Sequence, residues 1–225
     1  MRSPLWSCAG AMMLPAVASA VLPGQIETFQ GGLNNWTSNF AYSVLPYGGP
    51  SGAGDQFLKF TSNGSTTPAG TLSTQNVAQW AGNYAAAGVT GIEADLINLD
   101  AFPLQMRVLI KAGNYGDFTS TTAFSLPGDS RWHHVVFGLT AADLTWGGIA
   151  TGDLSEGLKY IDTLMFRHQS GPPLGIGSTT PIEAAMGIDN IHLIPEPAAN
   201  LLMILGSVPM LWRRSSVWER VKGVL

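Results

Sequence analysis

Glu93 and Asp95 are the two residues of this chain whose types and spacing could do chemistry together. They stand two apart in Ile92-Glu93-Ala94-Asp95-Leu96-Ile97, whose early alternation predicts a β-strand. Residues two apart on a strand share a face, so both carboxylates face one side of a sheet. A retaining glycosidase needs two carboxyl groups about 5–5.5 Å apart, one as nucleophile and one as acid/base. The plainer readings are two polar groups on a solvent face, or a cross-strand pair between Asp95 and Arg107. The other ionisable groups offer less. His133 and His134 are adjacent in a predicted strand, point to opposite faces and cannot jointly hold one metal. His168 and His192 are isolated, and no His-Glu-x-x-His spacing occurs. The chain also lacks a Gly-x-Ser-x-Gly elbow, a phosphate-binding glycine loop and a dinucleotide fingerprint. Asp143, Asp153 and Glu156 fall in a glycine-rich loop that could hold an ion, but without EF-hand spacing.

The elements that must position these groups lie in a body of residues 26–194, enough for one sizeable core. The body carries six Lys and Arg against thirteen Asp and Glu, a balance that repels phosphate backbones and argues against nucleic acid. Small polar residues and glycine-rich turns suit a secreted all-β protein. Strands are predicted at 57–61, 92–97, 104–111, 132–137, 160–168 and 182–194, the last broken near Gly187. The best helical stretch is 77–87, where Ala is concentrated around Gly82, and 143–148 reads as a short turn. Roughly ten strands at 8–12-residue spacing indicate an antiparallel two-sheet β-sandwich, most simply a jelly roll. The periodicity leaves strand order open.

Two resemblances attach to this body. Glu93-Ala94-Asp95-Leu96-Ile97-Asn98 resembles the Glu-x-Asp-x-(x)-Glu strand of laminarinase-like jelly-roll hydrolases, with Asn98 in the place of the acid. An amide cannot protonate a leaving oxygen at neutral pH, so Glu93 and Asp95 stand only as the alternative, catalytic reading. The succession Glu27-Thr28-Phe29, Gly54-Asp55-Gln56-Phe57-Leu58, Gly91 to Leu96 and Ile188-Asp189-Asn190-Ile191 resembles secreted jelly-roll modules of the carbohydrate-binding type. That resemblance implies adjacent first and last strands sharing a structural calcium ion, with Glu27 and Asp189 as first ligands and Asp55 as third. It also implies a polysaccharide partner and an aromatic platform for sugar rings. Trp80, Tyr84 and Trp132 read as core, Trp80 and Tyr84 sharing a face on a helical turn. Trp36, Tyr47 and Trp146 sit in Gly-, Asn- and Pro-rich loops and are the platform candidates. The leading role is therefore non-catalytic, with a glycoside hydrolase or a purely structural matrix protein as alternatives.

The two ends read as addresses. Arg2, the apolar stretch 5–17 and Ala18-Ser19-Ala20 form a signal-peptide pattern over residues 1–20, cut by signal peptidase after Ala20. The one cysteine, Cys8, lies in the part removed, which excludes disulfides and thiolate chemistry from a mature chain starting near Val21. At the other end Pro195-Glu196-Pro197 precedes the apolar run 198–212 and then Arg213-Arg214. The basic pair resists translocation. These parts resemble the bacterial PEP-CTERM sorting tail over residues 195–225, which implies an exosortase as processing enzyme, cutting near Pro-Glu-Pro. The resemblance further implies placement at the cell surface or in the extracellular matrix. The apolar run is about fifteen residues, short of the roughly 20 that cross a bilayer, so a short or tilted membrane helix is expected. Residues 215–225 extend past the usual end of such tails.

Overall fold

The computed structural model describes residues 21–197 except 149 and 179. The cleavage residues Ala18 and Ala20, the apolar run 198–212 and Arg213-Arg214 lie outside the described residues. No helix among the described residues is long and apolar enough to cross a membrane.

Thirteen strands run in order among the described residues. They are β1 (Ile26–Glu27), β2 (Trp36–Ser38), β3 (Tyr42–Leu45), β4 (Phe57–Asn63), β5 (Ser73–Asn76), β6 (Val89–Asn98) and β7 (Leu104–Lys111). Then follow β8 (Asp117–Ser120), β9 (Phe124–Leu126), β10 (Trp132–Gly138), β11 (Leu144–Trp146), β12 (Thr163–His168) and β13 (Glu183–Pro195). One helical turn, α1 (Leu154–Gly157), precedes β12. The first sheet has the order β10-β6-β13-β4-β3 with β1 also on β13; the second has β11-β8-β7-β12-β5-β2 with β9 also on β7. Every named strand pair is antiparallel. The expected two-sheet β-sandwich is the fold.

Alternation builds the core. Ile92, Ala94 and Leu96 of β6 and Leu58 and Phe60 of β4 meet Leu104, Met106, Val108 and Ile110 of β7 and Leu164 and Phe166 of β12. Each of these side chains apart from Ala94 contributes about 1.5–3 kcal/mol on burial. The intervening residues of each strand turn to the outer face, away from the core.

β13 runs through Gly187 without a break, contrary to the sequence expectation. A Cβ at Gly187 would stand 2.7 Å from Ile97 and from the Phe57 ring, so glycine is there for close packing and not for a turn. The irregularity comes two residues later. Asp189 opposes Asp95 and His192 opposes Glu93, leaving one extra residue on β13, and Asn190 takes a left-handed φ of 47°. This bulge changes which residues face inward, from Met186 and Ile188 before it to Ile191 and Leu193 after it.

The expected helix at 77–87 is absent. Successive turns replace it, and Gly82, at φ 146°, bridges to Ile161. A left-handed glycine and a non-local bridge outweigh the helix propensity of the alanines. Trp80 and Tyr84 are nevertheless both buried, and the Tyr84 hydroxyl donates to the Trp80 carbonyl at 2.8 Å. Trp132 is half-buried on the outer face of the first sheet and not in the core: its ring meets Phe57 edge-on at 5.2 Å. The stretch 143–148 holds β11, paired with β8.

Candidate functional site

A groove of about 920 Å³ opens where the turns of 77–83 meet residues 159–162. Its floor is fixed by main-chain bonds: Gly82 and Ile161 exchange amide–carbonyl bonds at 2.8 and 3.1 Å. Tyr160 lines it and is more than half exposed, with its ring nearly parallel to that of Tyr115, centroids 5.5 Å apart at 13°. The wall also carries the exposed Val77 and the amides of Asn35, Gln79 and Asn83. Asn35 donates to Gln79 at 3.1 Å, and Gln25 donates to the Gln79 carbonyl at 2.9 Å, so the wall is pre-ordered. Lys159 and Asp162 at the rim are paired, with Glu156 at 2.6 Å and Lys111 at 3.0 Å. The sequence reading missed Tyr160 because it extended the following strand back over it, whereas β12 starts only at Thr163.

Of the three aromatics chosen from sequence, Trp36 is not a platform. Asn34 and Asn35, both left-handed at φ 44° and 62°, turn the chain so that Trp36 enters β2 facing inward. It is fully buried and touches Phe29, Trp80 and Phe166 at centroid distances of 6.3, 5.8 and 6.0 Å. Tyr47 and Trp146 are exposed, Trp146 as the last residue of β11 and not in a loop, but neither lines the groove.

Glu93 and Asp95 do share the outer face of β6, as their alternation requires. They are spanned by imidazoles and an amide. His192 Nδ1 lies 2.7 Å from Glu93, His134 reaches Asp95 at 3.0 Å and Glu93 at 3.5 Å, and Asn190 donates to Asp95 at 2.8 Å. The Asp95–Arg107 pair of the sequence reading does not form, because Arg107 belongs to the other sheet. Asn98 lies on the inner side of β6, where its amide donates to the Phe102 carbonyl at 2.7 Å and its oxygen accepts from Asp100 N–H. The residue in the place of the missing acid thus faces away from both carboxylates. His133 turns to Asp129 and His134 to Asp95, on opposite faces as expected. Buried His168 accepts the Gln105 main-chain N–H on Nδ1, and burial holds its pKa below the usual imidazole range. Asp153 caps α1 by accepting from Glu156 N–H, so the glycine-rich loop spends this carboxylate on its own backbone.

The three carboxylates expected to share an ion come from different elements. β1 pairs with β13 through Glu27 and Ile191, which brings the first and last strands together. Glu27 accepts from Phe29 N–H at 2.8 Å and from Asn34 at 3.0 Å; Asp55 accepts from Gln30 and from Ser51 N–H. Asp189 is fully buried, and no donor reaches either of its oxygens with hydrogen-bonding geometry. Burial pushes its pKa up to about 7 against the opposing pull of the nearby Asn190 amide, and the negative charges of Asp55, Asp95 and Glu27 add to the rise. A buried carboxylate left without donors is costly. These hard oxygens suit a cation such as calcium. Among the described residues no three His, Cys, Asp or Glu side chains form a group that could hold a metal alone, so main-chain carbonyls would have to complete the shell.

No protein-family model and no curated protein matches the sequence. Solved structures do resemble the fold. A family 11 carbohydrate-binding module from Clostridium thermocellum, in complex with a β-1,3-1,4-mixed-linked tetrasaccharide, superposes with a TM-score of 0.50 at 16% identity, over 78% of this chain and 98% of that one. The family 11 module of a cellulosomal cellulase of the same organism gives 0.51 at 15% identity, over 78% and 96%. An exo-β-agarase gives 0.54 at 14% identity over 77% of this chain, which spans only 26% of the agarase. The body of this chain therefore has a β-sandwich fold similar to that of carbohydrate-binding modules.

Proposed function

We propose that this is an exported, non-catalytic protein that binds or organises extracellular polysaccharide through the groove around Tyr160. The observation that carries this reading is the exposed Tyr160 ring, held flat on Tyr115 beside a wall of amides. A pyranose presents apolar C–H faces that pack on such a ring, and Asn35, Gln79 and Asn83 offer donors and acceptors to its hydroxyls. The rim charges already have partners, which favours a neutral glycan. The likeness of fold to a module bound to a mixed-linked tetrasaccharide supports a glucan as the first ligand to try. The engagement of Glu93 and Asp95 by His192, His134 and Asn190, with Asn98 turned inward, supports a role without hydrolysis.

A structural calcium ion belongs to the same reading, held by Asp189 with Glu27 and Asp55 beside it. Its charge would offset the acidic cluster where β1 meets β13. Export by signal peptidase and sorting by an exosortase rest on the terminal residues Ala18, Ala20, Pro195-Glu196-Pro197, Arg213 and Arg214. The burial of Val21, directly after the expected cut, is compatible with a body that starts there. Isothermal titration calorimetry with mixed-linkage β-glucan oligosaccharides tests the groove. Tyr160→Ala should weaken binding at least about tenfold, in line with loss of an aromatic contact. Undiminished affinity in that variant would move the site elsewhere.

A further inference from the structure

The outer face of the second sheet is polar, yet it is buried. Arg107 on β7 and Arg167 on β12 are direct cross-strand partners. Each alternates with core residues, Met106 and Val108 in one strand and Phe166 in the other, so both guanidiniums stand on the outer face. Asp117 and Thr119 of β8 flank the core residue Phe118 and face the same way. All four are almost wholly buried, Arg167 at 1% exposure and Arg107 at 5%.

Their cover is the segment 170–178, Ser-Gly-Pro-Pro-Leu-Gly-Ile-Gly-Ser, which contains no helix or strand. It grips the sheet mainly through its own backbone. Arg107 donates to the Gly171 carbonyl at 2.8 Å; Arg167 donates to those of Gly175 at 3.0 Å, Ser178 at 3.4 Å and Leu174. Thr119 donates to the Leu174 carbonyl at 2.8 Å, and Ile176 N–H donates to Asp117 at 2.7 Å. The remaining guanidinium bonds go to the carbonyls of Ser120, Thr121 and Gln169 and to the Gln169 amide oxygen. The buried Nε of Arg167 has no acceptor.

Two like charges side by side, met by neutral carbonyls and one nearby carboxylate, are a costly way to close a sheet face. Apolar residues of similar volume would close it at least as well. A guanidinium pair is better matched by carboxylates, which accept bidentate, charge-assisted bonds. Burial lowers the Arg167 pKa to about 10, with Asp117 opposing that fall and the neighbouring Arg107 adding to it, so the closed arrangement is unfavourable for this group chiefly through its desolvation. A Cβ at Gly171 or Gly177 would meet nothing within 4 Å, so both positions face open space, whereas Gly175 lies close against Asp117 and Gly147. A cover held by a handful of hydrogen bonds is the kind of segment that opens locally.

The geometry points to a second, closed ligand site: segment 170–178 is a displaceable strap over an arginine pair that takes the carboxylate groups of an acidic polysaccharide. The site is separate from the Tyr160 groove, and none of its residues lines that groove. The body is acidic overall, so a polyuronate has no diffuse basic surface to fall back on and its binding depends on Arg107 and Arg167.

Calorimetry with polygalacturonate oligomers, read beside neutral β-glucan and galacturonate monomer, tests this, together with hydrogen exchange of the strap amides. Polygalacturonate should bind and speed exchange in 170–178, while Tyr160→Ala leaves that binding intact. Thr119→Val keeps the side-chain shape but removes one tie to the strap, and should tighten polygalacturonate binding by about two- to tenfold. Arg107→Gln should weaken it more than tenfold. No binding by either the wild type or Thr119→Val overturns the proposal. So does binding that neither Thr119→Val nor strap exchange registers.

Discussion

Asp189 and Asp95 stand directly opposite each other across β13 and β6. Like charges in that relation destabilise a sheet, and Asp189 has the further burden of two buried oxygens without donors. Its pKa of about 7 lies above the ordinary aspartate value, so between about pH 4 and 7 the folded state holds a proton that the unfolded state has released. Stability in the absence of a cation should therefore fall as pH rises through that window. Asp189→Asn should flatten the dependence and, in chelator at pH 8, raise stability by about 2–4 kcal/mol. Calcium should raise the melting temperature of the wild type, more at pH 8 than at pH 5, and leave Asp189→Asn unmoved. Thermal melts across pH, with calcium and with chelator, read all of this; a calcium response that survives in Asp189→Asn would place the ion elsewhere.

Trp36 belongs to the folding of the molecule and not to its surface. Its replacement by Ala should lower stability by about 3–5 kcal/mol, as for large aromatics removed from a core. Trp36→Phe should keep the fold and leave glycan affinity within about twofold of wild type, since Trp36 does not line the groove. Denaturant melts and calorimetry on the two variants separate these effects. A large loss of affinity in a well-folded Trp36→Phe protein would contradict the groove assignment.

Gly187 should tolerate no side chain. Gly187→Ala drives a methyl against Ile97 and Phe57, an overpacking that costs about 1–3 kcal/mol. Chemical denaturation measures it. A neutral substitution would mean that the apolar layer on the outer face of the first sheet can shift.

The ends of the mature protein carry the sorting proposal. Mass spectrometry of material from the native cell envelope or medium should find a chain starting at Val21 and ending near Pro195-Glu196-Pro197. Molecules retaining both Met1 and Leu225 throughout would remove export and sorting together.

Much of the fold was legible in the residues, and the reason is local. Alternation in β6, the continuous apolar run of β7 and the turn residues flanking β4 are properties of neighbours in the chain, and they marked these strands. The shared face of Glu93 and Asp95, the opposed faces of His133 and His134, and the burial of Trp80 and Tyr84 followed from spacing or residue type. Acidic composition, glycine-rich turns and the absence of known catalytic spacings narrowed the function classes before any contact was known.

The tertiary structure decided everything that depends on residues far apart. Whether a loop aromatic points in or out turned on Asn34 and Asn35 for Trp36, and on a bridge between Gly82 and Ile161 for the groove that Tyr160 lines. The isolation of Asp189 arises from a bulge at Asn190 and from carboxylates that approach it from β1, β6 and the turn before β4. The cover over Arg107 and Arg167 joins three strands of one sheet to a segment that no periodicity distinguishes from an ordinary loop. Side-chain pattern is written in sequence at a period of two, whereas what lies against the outer face of a sheet is set by strand order and loop course. Those are fixed only when the whole chain packs.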